Sequence, residues 1–112
     1  MSSQLLMLFL LMSGHALCDY ALQPDAMARG KSRHTLRQAG FPEWYHWLSS
    51  HALVHGGAVA IVTGSAALGL AEAICHWFID FMKCEQVFGI GVDQALHVAC
   101  KLTWFIIACS LC

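Results

Sequence analysis

The chain has 112 residues, a formal net charge of −1, 58% hydrophobic residues and only 12% charged ones. That length holds one domain at most. Soluble domains carry roughly 25% charged residues, so this composition, with a mean hydropathy of +0.59, excludes an ordinary soluble fold and predicts an integral membrane protein embedded in a lipid bilayer; the near-neutral balance offers no basic footprint for nucleic acid.

The first predicted helix spans residues 3–23, where Pro24 stops it. Its apolar run at residues 5–11 lacks a basic leader, and His15-Ala16-Leu17 lacks the small residues of a cleavage site, so an uncleaved helix is expected. Residues 25–40 form a basic loop with Arg29, Lys31, Arg33, His34 and Arg37. By the positive-inside rule that loop is cytoplasmic and the N-terminus outside.

A second helix is expected over residues 43–62, with Pro42 at its start and Trp44, Tyr45 and Trp47 as an interfacial aromatic belt. Thr63, Gly64 and Ser65 make a turn, a third helix covers residues 66–83, and residues 84–92 are a loop. Asp93 is placed as the N-cap of a fourth helix over residues 93–111. Each helix is near the ~20 residues a bilayer requires. The predicted fold is therefore all-α, a polytopic membrane bundle of four helices running up-down-up-down. Gly56, Gly57, Ala60, Gly64, Ser65 and Gly69 read as small residues that permit close helix packing. Cys75, Cys100 and Cys109 lie in apolar runs and read as small hydrophobes, and Cys109 with Cys112 reads as a helix end rather than a redox motif.

Four pairs of possible metal ligands recur at i,i+4 spacing: His15/Asp19, His51/His55, His76/Asp80 and Asp93/His97. That spacing puts both members of a pair on one helix face. In the up-down-up-down order every pair falls on the side of the basic loop, so all four can converge there. Ionisable groups within membrane helices are costly and read as functional. Imidazole and carboxylate together suit zinc first, with manganese or iron as alternatives, and helix bundles build metal sites from such pairs. Glu72 and Lys101 extend two of these faces by one turn at similar depth, which predicts an ion pair between them. His34 and His46 stand outside the pattern.

The segments His15-Ala-Leu-Cys-Asp19-Tyr-Ala-Leu-Gln23, His51-Ala-Leu-Val-His55-Gly56, His76-Trp-Phe-Ile-Asp80-Phe-Met-Lys83 and Asp93-Gln94-Ala-Leu-His97 resemble the bacterial and phage membrane family catalogued as domain of unknown function 3307. More distantly, His76-x-x-x-Asp80 is similar to the pairs of membrane-bound metal-dependent hydrolases and zinc phospholipases. The resemblance adds Gln23, Asp25, Lys31, Lys83 and Gln94 to the candidate site. Gln23 and Gln94 are expected to orient ligands by hydrogen bonds.

These observations set two expectations of different class. The first is a metal-dependent hydrolase acting on a lipid-linked phosphoester at the cytoplasmic leaflet, with Asp80, His76, His97, His15 and Asp19 as core ligands, His51 and His55 completing the set, and Asp93 as ligand or general base. The second is a non-enzymatic membrane protein that binds or moves metal ions or protons, or that uses the pairs as polar contacts between helices.

Overall fold

The computed structural model describes residues 2–111. The described residues are helical, in the order α1 (Ser3–Ala16), a π-helical turn (Leu17–Ala21), α2 (Asp25–Gly30), α3 (Trp44–Thr63), α4 (Ala66–Cys84) and α5 (Ile90–Ser110).

Local chemistry accounts for most of the boundaries. Ser2 caps α1 by accepting the Leu5 N–H at 3.1 Å. Between α3 and α4 the chain turns at Gly64, which takes the left-handed conformation (φ 71°) that glycine adopts without a Cβ penalty, and Ser65 caps α4 by accepting the Leu68 N–H. That turn excludes a single helix running through residues 63–65.

Three boundaries differ from expectation. The first helix is α-helical only to Ala16; the Leu22 N–H then reaches back five residues to the Leu17 carbonyl at 2.8 Å, so Leu17–Ala21 is wider than an α-turn. The basic loop contains α2, begun after Pro24 with Asp25 in its first turn. Asp93 is not a cap: α5 starts at Ile90, and Asp93 lies inside its first turn with its side chain buried.

Helices α3 and α4 pack closely against each other at their glycines. A Cβ built on Gly56 falls 2.6 Å from the Gly69 carbonyl oxygen and 2.9 Å from the Ala73 Cβ, and one on Gly69 falls 2.6 Å from the Ala60 Cβ. Gly56→Ala is therefore expected to force the two backbones apart and to destabilise the fold by about 1–3 kcal/mol. Thermal unfolding in detergent would measure this, and an unchanged midpoint would mean that the helices tolerate wider spacing.

At the other end the two loops meet. Arg33 donates to both Glu85 oxygens and the His34 ring contacts Glu85 at 2.6 Å, which joins the basic segment to the α4–α5 connection. The Arg33 hydrogen bonds hold the Glu85 carboxyl down to about 2. Arg29 pairs with Asp25 on the surface, so Asp25 lies away from the buried side chains.

Two helical stretches, Ser3–Ala21 and Ile90–Ser110, are long and apolar enough to cross a membrane. Helices α3 and α4 have the length but not the mean hydropathy, which corrects the expectation of four spans each legible by composition. The reason lies in what they bury: His51, His55, Glu72, His76 and Asp80 depress the average, yet all five are inside. The surfaces of the same helices expose Leu53, Ile61, Leu70, Ile74 and Phe78. These two helices thus carry apolar side chains on their surfaces around buried polar groups.

Candidate metal centre

Each pair enters the interior from a different helix. His15 is in the last turn of α1 and Asp19 in the π turn; His51 and His55 come from α3, His76 and Asp80 from α4, Asp93 and His97 from α5. All eight are buried, and His51, His76 and His97 have no exposed surface.

Two carboxylates organise the cluster. The Asp19 Oδ1 lies 3.2, 2.9 and 3.8 Å from the Nε2 atoms of His51, His55 and His76, while its Oδ2 is 3.6 Å from His15. The Asp80 Oδ2 lies 3.3 Å from His51 and 3.4 Å from His76, and its Oδ1 is 3.1 Å from His97. The third carboxylate, Asp93, places Oδ1 at 3.3 Å from His97 Nε2. The rings of His55, His76 and His97 are stacked across three helices, with centroids 3.7 and 4.1 Å apart.

Gln94 ties these groups together: its amide donates to Asp19 Oδ2 at 2.9 Å and Asp93 Oδ2 at 3.1 Å, and its carbonyl pairs with His15 Nε2 at 2.9 Å. Gln23 acts further out and donates to the Asp19 backbone carbonyl at 2.9 Å. Glu72 binds Lys101 through Oε1 and accepts the Trp104 indole N–H at 2.7 Å through Oε2; it also lies 3.5 Å from His76 Nδ1. Lys83 is half-buried and has no hydrogen bond or ion pair to the cluster among the described residues. The cluster's ammonium is instead Lys31, from the turn after α2, whose Nζ lies 2.8 Å from Asp80 Oδ2. His34 and His46 lie on the outside, paired with Glu85 and packed on Tyr45 respectively.

The donor geometry fits a metal ion. Three sets each bring ligand atoms within 4.8 Å of one another: Asp19, His51, His55 and His76; Glu72, His76 and His97; and Asp19, Asp93 and His97. A tetrahedral zinc site with bonds of about 2.1 Å separates its ligands by about 3.4 Å, so modest side-chain movement would close any of them. The unsatisfied atoms point the same way. The Nδ1 of all five clustered histidines, His76 Nε2 and Asp93 Oδ1 are buried without a hydrogen-bond partner, and buried polar atoms of that kind are uncommon. Asp80 and His15 belong to none of the three sets. Asp80 is a shared acceptor for Lys31 and three histidines, and His15 is held by Gln94.

Beyond Glu72 and Lys101 the interior becomes apolar, with Leu11, Val59, Leu68, Trp104 and Ala108 packed together. On the loop side, a cavity of about 680 Å³ is lined by Arg29, Arg33, Arg37, Trp44 and Trp47. The cysteines among the described residues are free thiols; Cys112 lies outside those residues.

These features define an all-helical protein with a buried histidine–carboxylate cluster able to hold a metal ion. The family described as protein of unknown function (DUF3307) matches residues 5–111, and the chain belongs to that family. No curated protein and no solved structure matches it.

Proposed function

We propose that this protein is a membrane-embedded metal-dependent hydrolase acting on a phosphoester at the cytoplasmic leaflet. The observation that carries this reading is the convergence of five imidazoles and three carboxylates on one end of the bundle. Two of the donor sets share Asp19, so Asp19 with His51, His55 and His76 would hold one ion, and Asp19 with Asp93 and His97 would hold a second. Zinc suits this mixture of nitrogen and oxygen donors. When bound, such ions activate water and neutralise charge that develops on a phosphoryl group.

The residues have separable tasks in this reading. Asp93, whose Oδ1 has no hydrogen-bond partner among the described residues, would serve either as a ligand beside His97 or as the general base that takes a proton from water. Gln94 fixes Asp93 against Asp19, Glu72 orients His76, and Gln23 holds the π turn that carries Asp19. Four long helices, α1, α3, α4 and α5, span the bilayer with the basic loop on the cytoplasmic side. Their exposed faces are apolar, and 20 helical residues extend about 30 Å.

The apolar packing beyond Glu72 and Lys101 favours a site open to one side over a path for ions through the membrane. The test is detergent-purified protein assayed for zinc, manganese and iron and for turnover of a panel of lipid phosphoesters. At least about one metal equivalent and measurable turnover are expected, and Asp93→Asn should lower turnover by about 100-fold or more with little change in unfolding, as for loss of a general base. Bound metal with no hydrolysis across the panel would replace this proposal by non-enzymatic metal binding.

A further inference from the structure

Apart from Asp19 on the π turn, the four ligand pairs come from the long helices; Lys31 reaches the cluster from the turn after α2. Its placement is built in. A Cβ on the preceding Gly30 would lie 2.5 Å from the Trp47 ring, so the absence of one lets the end of α2 lie directly on that indole, and the next side chain runs inward until it is 5% exposed. Its ammonium has three donors, and Asp80 Oδ2 is the acceptor it reaches. Among the described residues the other two N–H directions of this buried ammonium meet no protein acceptor, an expensive condition for a charged group.

Charge makes the same demand. Asp19, Asp80 and Asp93 offset three positive charges, while Glu72 and Lys101 cancel each other. With two divalent ions bound, Lys31 would leave the cluster two positive charges in excess. An anion carrying two charges and several acceptor oxygens answers both deficits at once.

We propose that Lys31 is a substrate-positioning residue that donates its two free hydrogen bonds to the non-bridging oxygens of a dianionic phosphoryl group, and that the preferred substrate class is therefore a phosphomonoester rather than a diester. A diester has one negative charge on its two non-bridging oxygens and would leave the centre positively charged. This inference rests on the metal-centre reading above and adds to it the substrate's charge and the group that binds it.

The experiment uses zinc-loaded, detergent-purified full-length protein as wild type, Lys31→Met and Lys31→Arg. Zinc content is measured on each sample, and two titrations are run by calorimetry, one with inorganic phosphate and one with mixed micelles containing phosphatidic acid against micelles of phosphatidylcholine alone. Lys31→Met should retain its zinc and bind phosphate about tenfold or more weakly, the loss expected for charge-assisted hydrogen bonds, and Lys31→Arg should recover part of the affinity. Weakening in both titrations assigns the contact to the phosphoryl group however it is carried, and weakening with phosphatidic acid alone assigns it to a lipid headgroup. Unchanged affinity in both, or loss of zinc from Lys31→Met with Lys31→Arg behaving as wild type in phosphate binding, would overturn the proposal and make Lys31 a neutralising partner of Asp80. A wild-type protein that takes up no zinc would instead overturn the metal-centre reading, and the zinc measurement separates the two failures.

Discussion

Asp19→Ala is expected to abolish metal retention. Asp19 belongs to two of the three donor sets and touches His51 and His55 on one oxygen and Gln94 on the other, so its loss removes a ligand from both proposed ions and releases the glutamine that steadies Asp93. The wild-type protein should show a melting temperature that rises with added zinc, because a ligand at about 100 times its Kd stabilises the native state by about 2.7 kcal/mol. The variant should lose that response, and elemental analysis should find well under one equivalent. Gln94→Ala should fall between the two, since loss of a group that orients a ligand typically weakens metal affinity about 10- to 100-fold. A zinc-independent melting temperature in the wild type would remove the metal centre altogether.

The second large effect lies one turn deeper. Glu72 and Lys101 are both buried and in contact, and Trp104 holds the other Glu72 oxygen. Glu72→Gln leaves an ammonium in the interior without its counter-charge and should destabilise the fold by about 3–5 kcal/mol. Combining it with Lys101→Met removes the stranded charge, so part of the loss should return, with a coupling of about 0.5–3 kcal/mol between the two sites. Denaturant or thermal unfolding of the four proteins in the cycle measures this. Simple additivity would show that the pair contributes nothing as a pair.

The two effects fall in different places because the bundle is layered. Towards the loops it carries the histidine–carboxylate cluster, which the sequence announces by its i,i+4 pairs. Below that it carries one neutralised ion pair, and then a cluster of buried apolar side chains. In the function proposed above, this layering places the chemistry at a membrane surface rather than along a path through the membrane.

Much of this was visible from residue spacing. His15/Asp19, His51/His55, His76/Asp80 and Asp93/His97 share helix faces because a helix repeats every 3.6 residues, and antiparallel order brings those faces to one end. The Gly64-Ser65 turn follows from local chemistry, as does the depth match of Glu72 and Lys101. Other features depend on contacts between segments distant in sequence. Gln94 bridges Asp19 and Asp93 only because α1 and α5 are neighbours at the rotation they adopt. Of the two lysines that the family likeness adds, Lys31 enters the cluster and Lys83 does not, because Gly30 seats α2 on Trp47. Asp80 becomes a shared acceptor instead of a member of a donor set because that lysine and three imidazoles surround it.

The sequence by itself determined that the chain is helical and that its ligand pairs are set in largely apolar helices and gathered toward one end, since period and composition act locally along each helix. Only the tertiary structure decided which pair faces which, how the π turn aims Asp19, and which lysine is buried. Those depend on the rotation and spacing of the helices about one another, set by side chains such as Gly56, Gly69 and Trp47 that carry no chemistry of their own.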